Sequence, residues 1–319
     1  MYVDDLIISG NDSTTIAHFK AYLSTCFHMK DLGVLKYFLG LEISRGPDGL
    51  FLSQPKYALD IISEAGLLDA KPCDFPMEQN HQLAFDTCLN LDHPNHYRRL
   101  VGRLIYLTIT CPKLCYDVHT LAQFMQSPKE AHWNAALRAV HYLKGHVGQG
   151  VFLSKDSSLQ LTRYCDSDYA TCPLTRRSLA GYFIMLGVSP ISWKTKKQLT
   201  VSQSSAEAEY HSMATTSCEL IWLKSLLKSL GILHSMPMRL FCDSQAALHI
   251  ATNHVYHERK KHIEVYCHFV RDQIQAVNIS TFHVRTNMQL ADIFTKALGK
   301  QQFQFLLHKL GIRNLHAPT

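Results

Sequence analysis

Residues 239–252, RLFCDSQAALHIAT, decide the fold class, because two elements follow each other directly across one acidic residue. The mostly apolar run Arg239–Cys242 is typical of a short strand, and the pattern after Asp243 is helical over Ser244–Thr252. Strands that lead directly into helices are typical of a sheet with helices packed on it. The stretch therefore predicts an α/β domain.

The flanking sequence predicts the rest of this sheet. Upstream, the predicted elements are strands at Leu159–Cys165, Gly181–Leu186 and Ile191–Lys194 and a long helix at Ser204–Leu230. Downstream, they are a helix at His257–Val277, a strand at Ile279–Val284 and a final helix at Gln289–Leu298. The order predicts a mixed five-stranded sheet with flanking helices.

The first half of the chain is predicted to form a different region. Its predicted elements are helices at Thr15–Phe27, Pro55–Ala65, Tyr97–Thr110 and Pro128–Gly145, strands at Leu35–Ile43 and Leu50–Leu52, and an extended connector over residues 71–96. The glycine-rich Gly145–Gly150 predicts a boundary. We therefore expect domains at residues 1–150 and 156–300 and a tail at residues 301–319.

Composition excludes several classes of protein. Hydrophobic residues make up 46% of the 319 residues, too many for a disordered chain. No apolar run approaches the ~20 residues that a membrane span needs, and the start MYVDDLIISG lacks the basic region of a signal peptide. The ten cysteines are too sparse and irregular for a disulfide-rich secreted protein. We expect an intracellular protein, cytoplasmic or nuclear, with no membrane partner.

Basic residues are concentrated in the second half of the chain. Residues 1–155 carry 14 Lys and Arg and 15 Asp and Glu, whereas residues 156–319 carry 18 and 11. Three basic clusters lie there: Arg176 and Arg177; Lys194, Lys196 and Lys197; and Arg259, Lys260 and Lys261. A basic half indicates a polyanionic partner, although an ordinary solvated surface explains any one cluster equally well.

Four acidic residues fall at the ends of predicted elements in this half. Asp166 ends the first strand, Glu207 lies in the first turn of the long helix, Asp243 ends the fourth strand, and Asp292 lies in the first turn of the last helix. Such carboxylates can converge at one sheet edge, where they need a cation because like charges raise one another's pKa. Oxygen ligands favour Mg²⁺, and two ions about 3.5–4 Å apart can act on a phosphodiester. Taken singly, Glu207 and Asp292 could instead only stabilise helix dipoles.

These motifs resemble the ribonuclease H domain at the end of the Pol polyprotein of copia-type retrotransposons. The matching stretches are RYCDSDYATCPLTRRSLAGY (163–182), ISWKTKKQLTVSQSSAEAEY (191–210), LFCDSQAAL (240–248), KKHIEVYCHF (260–269) and QLADIFTKAL (289–298). The first half resembles the C-terminal part of the same polyprotein's reverse transcriptase, in YVDD (2–5), MKDLG (29–33), YFLGLEI (37–43), GLFLSQPKYA (49–58) and YRRLVGRLIYLTIT (97–110). Mild departures from the family pattern are Tyr169, Thr171 and Tyr266.

The resemblance implies an α/β ribonuclease H-like fold, preceded by a partial reverse transcriptase palm, thumb and connection. It implies endonucleolytic cleavage of the RNA strand of RNA–DNA hybrids with two Mg²⁺ ions, or Mn²⁺, held by a tetrad that matches Asp166, Glu207, Asp243 and Asp292. Asp168 and Glu209 lie two residues further on and are expected to point elsewhere, as second choices for ligands. Other Pol or capsid proteins of the element are further expected partners.

The polymerase motif is a different case. In the family, Asp4 and Asp5 match two metal-binding residues that act with a third Asp located well upstream. The chain starts one residue before YVDD, so we expect these two residues to be relics and polymerase activity to be lost. The alternative for the whole chain is an inactive relic that at most binds nucleic acid.

One group of His and Cys residues is an alternative metal site, and one further His is a candidate proton shuttle. Cys111, Cys115 and His119 recur every four residues and could share a helix face, but paired zinc-ligand spacing and a fourth ligand are lacking. Core packing is the stronger interpretation for them. His283, in a predicted strand before the last acidic residue, is not expected to act as a proton shuttle.

Overall fold

The computed structural model describes residues 5–85, 88–253 and 264–314. The first part contains, in order, helix α1 (Ser13–Cys26), strands β1 (Tyr37–Phe38), β2 (Leu41–Gly46) and β3 (Gly49–Ser53), and helices α2 (Pro55–Glu64), α3 (Pro94–Leu107), α4 (Cys115–Ala122) and α5 (Glu130–Lys144). The second part contains strands β4 (Gln149–Ser154), β5 (Leu161–Asp168), β6 (Leu179–Leu186) and β7 (Ser189–Lys197), helix α6 (Ser205–Ser229), strand β8 (Met238–Cys242), helices α7 (Gln245–Thr252) and α8 (Glu264–Gln275), strand β9 (Ile279–His283), helix α9 (Lys300–Lys309) and strand β10 (Ile312–Asn314).

Helices α2 and α3 follow from local sequence. Each has proline in its first turn, where the missing N–H costs nothing. The residues that α3 buries recur at helical spacing: Tyr97, Leu100, Val101, Leu104 and Leu107. Helix α4 was not predicted, because its eight residues are too few to show a clear periodic pattern.

A first sheet combines strands from the first part of the chain with strands from the second part. Its strand order is β1-β2-β3-β4-β10, and all of its pairs are antiparallel. Gly150, expected in a boundary linker, lies inside β4 instead, where a Cβ would stand 2.2 Å from the Leu52 carbonyl oxygen on β3. The expected tail likewise forms helix α9 and strand β10, which pairs with β4 at Ile312 and Val151.

The second sheet is the mixed five-stranded sheet that the sequence predicts, and this prediction is confirmed. Its strand order is β7-β6-β5-β8-β9. Strand β6 is antiparallel to both of its neighbours, whereas β5, β8 and β9 are parallel. The carboxyl ends of β5 and β8 therefore meet at one edge, which brings Asp166, near the end of β5, towards Asp243, which follows β8.

The segment after β9 differs from the predicted final α-helix. It forms two short 3-10 helices, Thr286–Met288 and Leu290–Phe294, and the second packs on β5 and β6. Gly181 on β6 allows this approach, because a Cβ there would stand 2.7 Å from the Phe294 Cβ. The close contact carries Asp292 to the same edge as Asp166.

One hydrophobic core extends across both parts of the chain. Phe183 of β6 and Phe294 are fully buried and stack with ring centroids 5.8 Å apart, within the core formed by helices α2 to α5. Burying each ring contributes about 1.5–3 kcal/mol. A second core lies between α6 and the mixed sheet. No helix within the three described ranges is long and apolar enough to cross a lipid bilayer.

Candidate active site

Asp166 is the most buried of the carboxylates that meet at the edge of the mixed sheet. It lies on the central strand β5, and its side chain is 1% exposed. Thr295 Oγ1 donates a hydrogen bond to Asp166 Oδ2, and Lys296 Nζ lies 3.3 Å from Asp166 Oδ1. Burial raises the pKa of Asp166, and the neighbouring Asp243 carboxylate adds to this rise, whereas Lys296 and Thr295 oppose it.

Asp292 approaches Asp166 from the second 3-10 helix. Its side chain is 4% exposed, and Lys296 Nζ donates a hydrogen bond to Asp292 Oδ1 at 2.8 Å. Burial raises the pKa of Asp292 to about 7, and the charge on Asp166 contributes further to the rise. Asp166 and Asp292 therefore share one ammonium group.

Glu209 of α6 and Asp243 complete the group. Glu209 is buried, and burial raises its pKa well above the usual range, with further contributions from Asp166 and Asp243. A Glu209 oxygen, an Asp243 oxygen and the Cys242 sulfur lie within 4.8 Å of one another. Within the described ranges, no other three His, Cys, Asp or Glu side chains bring their ligand atoms within 4.8 Å of one another.

Glu207 lies in the predicted helix turn, but its contacts are those of a helix cap. It lies in the first turn of α6, where Ser204 Oγ accepts the Glu207 N–H and Glu207 Oε2 accepts the Gln203 N–H at 2.9 Å. Residues two apart on a helix are separated by about 200° around its axis, so Glu207 and Glu209 cannot both face the sheet. The sequence carried the signal, because Ser204 followed three residues later by Glu207 is a helix-capping pattern. The structure thus brings Glu209, and not Glu207, to Asp166, Asp243 and Asp292, which together we call the acid cluster.

Asp168 also differs from expectation, because it lies beside the acid cluster. Residues two apart on a strand share a face, so Asp168 follows Asp166. Burial raises the pKa of Asp168 to about 6; Lys296 and Thr171 oppose this rise, and the charge on Asp166 adds to it.

The donor atoms of the acid cluster fit a hard divalent cation. Buried carboxylates that lie this close need a positive charge to remain ionised. Carboxylate oxygens suit Mg²⁺ or Mn²⁺, whereas the soft sulfur of Cys242 does not. The other candidate ligands lack a comparable arrangement: Cys111 belongs to the hydrophobic core, and Cys115 and His119 line a groove with Trp193.

Comparison with known proteins places this geometry in a family. Residues 1–79 match the family model described as reverse transcriptase (RNA-dependent DNA polymerase). The chain is 43% identical over 312 residues to the retrovirus-related Pol polyprotein from transposon RE2 of Arabidopsis thaliana. The matched region covers 98% of this chain and 21% of the polyprotein. It is 42% identical over 222 residues to an uncharacterised mitochondrial protein of the same plant, covering 70% of this chain and 92% of that protein. The chain belongs to the copia-type retrotransposon Pol family.

The resemblance stated from the sequence motifs is thus confirmed. This Pol chain spans about a fifth of the length of the polyproteins that it matches. Among solved structures, it is similar to LC11-RNase H1 in complex with RNA/DNA hybrid, with 14% identity, a TM-score of 0.33 and coverage of 43% of this chain and 94% of that one. It is also similar to a foamy viral protease-reverse transcriptase in complex with double-stranded DNA, with 12% identity, a TM-score of 0.42 and coverage of 78% and 37%.

Only the last residue of the YVDD motif of this Pol chain lies within the described residues. Asp4 lies outside the described residues, and Asp5 is exposed. Helix α1, which follows, has no buried residue.

The basic candidates lie mostly on the surface. Arg176, Arg177, Lys194 and Lys196 are exposed, whereas Lys197 is half-buried and contacts Gln123 Oε1 and the Cys172 sulfur. Arg259, Lys260 and Lys261 lie outside the described residues. Lys194 and Lys196 are two residues apart on β7 and therefore share a face of the sheet.

Proposed function

We propose that residues 156–300 of this Pol chain form a metal-dependent ribonuclease H that cleaves the RNA strand of RNA–DNA hybrids. The observation that carries this proposal is the acid cluster at the carboxyl end of β5 and β8. The matched family supports the substrate class, because an RNA-dependent DNA polymerase leaves each new DNA strand paired with its RNA template. A nuclease from the same polyprotein would meet that hybrid first.

The four carboxylates of the acid cluster would hold two Mg²⁺ ions. When bound, magnesium supplies positive charge to the phosphate and lowers the pKa of coordinated water. Asp166 is the central ligand, because it neighbours both Asp292 and Asp243. The Thr295 hydroxyl fixes the orientation of Asp166, and burial of Glu209 on α6 keeps its carboxylate directed at the same place. Fixed carboxylates of this kind supply the preorganisation that metal-assisted hydrolysis needs.

The exposed basic residues would hold the substrate. Arg176, Arg177, Lys194 and Lys196 present positive charge that can contact phosphates, and the same role is proposed for Lys197, Arg259, Lys260 and Lys261. Such contacts position a duplex without reading its sequence, and hybrid helices are recognised largely by shape. We therefore expect cleavage with little sequence preference.

The test is cleavage of labelled nucleic acid by the purified chain. We expect Mg²⁺-dependent cleavage of an RNA–DNA hybrid and none of double-stranded DNA of the same sequence. The Asp168→Asn variant is a matched control that should retain substantial cleavage, because Asp168 lies beside the acid cluster and is not one of its four members. Hybrid binding without cleavage, with and without Mg²⁺ or Mn²⁺, would contradict the proposal and favour an inactive relic.

A further inference from the structure

Lys296 divides the acid cluster into two unlike parts. Its ammonium nitrogen lies 2.8 Å from Asp292 Oδ1 and 3.3 Å from Asp166 Oδ1, and these two carboxylates are 4% and 1% exposed. Glu209 and Asp243 form no ion pair within 4.0 Å with any residue of the described ranges. Among the described residues, Lys296 therefore pairs directly with one part of the cluster and not with the other.

The position of Lys296 follows from local structure. Lys296 lies four residues after Asp292, and its N–H donates to the Asp292 carbonyl oxygen at 2.9 Å, so one turn of backbone sets the side chain over both acids. Thr295, the preceding residue, donates its hydroxyl hydrogen to Asp166 Oδ2. The dipeptide Thr295–Lys296 thus contacts both oxygens of Asp166. Because two consecutive residues contact one buried carboxylate, the local backbone fixes both contacts together.

We propose that Lys296 is an internal cation that occupies the Asp166–Asp292 part of the acid cluster and makes its two Mg²⁺ positions unequal. The first Mg²⁺ binds the part formed by Glu209 and Asp243 with Asp166. The second binds between Asp166 and Asp292 only when the ammonium withdraws. This inference rests on the proposed function, since it treats the acid cluster as a metal site.

The side chain of Lys296 can make such a movement. It is 29% exposed, whereas the two carboxylates are almost fully enclosed, so the ammonium can move to solvent while the acids stay in place. The same residue also stabilises the chain before metal binds, because buried carboxylates without a counter-charge are costly. Lys296 is therefore a positioning residue that competes with metal and substitutes for it.

Titration of the full chain with MgCl₂ by calorimetry tests the proposal, together with the melting temperature in a chelator. The wild-type chain should bind one Mg²⁺ tightly and a second weakly. Lys296→Gln, which keeps a hydrogen-bond donor but loses the charge, should tighten the second site by roughly tenfold or more, since one opposite charge shifts an ionisation equilibrium by at least that factor. It should also lower the metal-free melting temperature, and saturating Mg²⁺ should restore it.

Three further variants make the result decisive. Lys296→Arg should behave like the wild type, because it keeps the charge. Lys300→Gln should change neither measurement, because the Lys300 ammonium pairs with the exposed Asp74 at 2.7 Å, away from the acid cluster. If Lys296→Gln does not fold without metal, the double variant Lys296→Gln, Asp292→Asn removes one acid together with the cation and should fold.

The outcomes separate this inference from the proposed function. Two equal Mg²⁺ sites in the wild-type chain, or an unchanged titration for Lys296→Gln, would overturn the role of Lys296 and leave the nuclease proposal standing. Tighter Mg²⁺ binding by Lys296→Gln in a chain that does not cleave hybrids would overturn the nuclease proposal only. Absence of Mg²⁺ binding in every variant would overturn both.

Discussion

Two regions of this Pol chain carry acidic motifs of the family, and the acids of these motifs differ in how deeply they are buried. Asp5 belongs to the YVDD motif and is exposed, and helix α1 after it buries no residue. Asp166 lies on the central strand of a five-stranded sheet, between the buried residues Cys165 and Ser167. A motif becomes a candidate site here only where the surrounding backbone is fixed by burial, because burial both orients carboxylates and makes them need a cation.

The most direct test of this difference between the two regions is to remove one acid from each. Asp243→Asn should lower hybrid cleavage by at least about a hundredfold, above the range seen when residues that only support metal ligands are changed. Asp5→Asn should leave the cleavage rate unchanged. The metal-free melting temperature of Asp243→Asn should stay the same or rise slightly, because one of several like charges is lost.

Cleavage rates and melting temperatures of the two variants, measured on one hybrid, decide the matter. Equal losses of activity in the two variants would show that the exposed motif contributes to the reaction. Full activity in Asp243→Asn would remove the basis for the nuclease proposal.

A second prediction compares two glutamates on one helix. Glu209→Gln should lower hybrid cleavage by a similar factor of about a hundredfold or more, because it removes a charged member of the acid cluster. Glu207→Gln should retain cleavage within about threefold, and it should lower the free energy of unfolding by about 0.3–1 kcal/mol, since a negative charge in the first turn of a helix is lost. Hybrid cleavage and urea unfolding of both variants test this. The reverse pattern of activity would restore Glu207 to the cluster.

The sequence predicted the mixed sheet well, because its strands are buried runs and its helices are periodic. It also indicated that Asp166, Asp243 and Asp292 would converge, since these residues stand at the ends of elements that a parallel pair brings together. The start of α6 was predicted within one residue, but the choice between Glu207 and Glu209 also depends on which side of the helix packs on the sheet. The capping pattern at Ser204 indicated that Glu207 is used at the helix end.

Other features could not be read from the sequence. Strand β10 has three residues and is defined only by its pairing with β4, which lies more than 150 residues earlier. The role of Lys296 is of the same kind. Its spacing from Asp292 is visible in the sequence, but its contact with Asp166 exists only because Gly181 lets the second 3-10 helix pack on the sheet.

A third prediction uses pH to sharpen the contrast between buried and exposed acids. Burial raises the pKa of Asp292 to about 7 from 3.8, so the folded chain retains a proton between these values that the unfolded chain releases. The metal-free chain should therefore lose stability as pH rises from about 4 to 7, by on the order of 4 kcal/mol from this residue. Urea unfolding in a chelator at several pH values measures the effect.

Two variants serve as controls. Asp292→Asn should reduce the pH dependence of the free energy of unfolding, whereas Asp5→Asn should not. If the free energy of unfolding rises with pH over this range instead, the pKa of Asp292 in the folded chain is not raised.

The smallest effect expected is in the salt dependence of hybrid binding, and it compares exposed lysines of the two regions. Lys194 and Lys196 share one face of β7, whereas Lys30 and Lys36 are also exposed but lie between α1 and β1. Each phosphate contact releases counterions and contributes about −0.9 to the slope of log K against log salt on B-form DNA, with a comparable value expected for a hybrid. Replacing Lys194 and Lys196 by Ala should thus reduce the slope by about 1 to 2.

The Lys30→Ala, Lys36→Ala variant has the same change in net charge, so it separates phosphate contact from general attraction. Binding of a fluorescent hybrid in Ca²⁺, at several salt concentrations, gives both slopes. Equal slopes for the two double variants would mean that Lys194 and Lys196 are solvated surface, and that the hybrid is held elsewhere on the basic half of the chain.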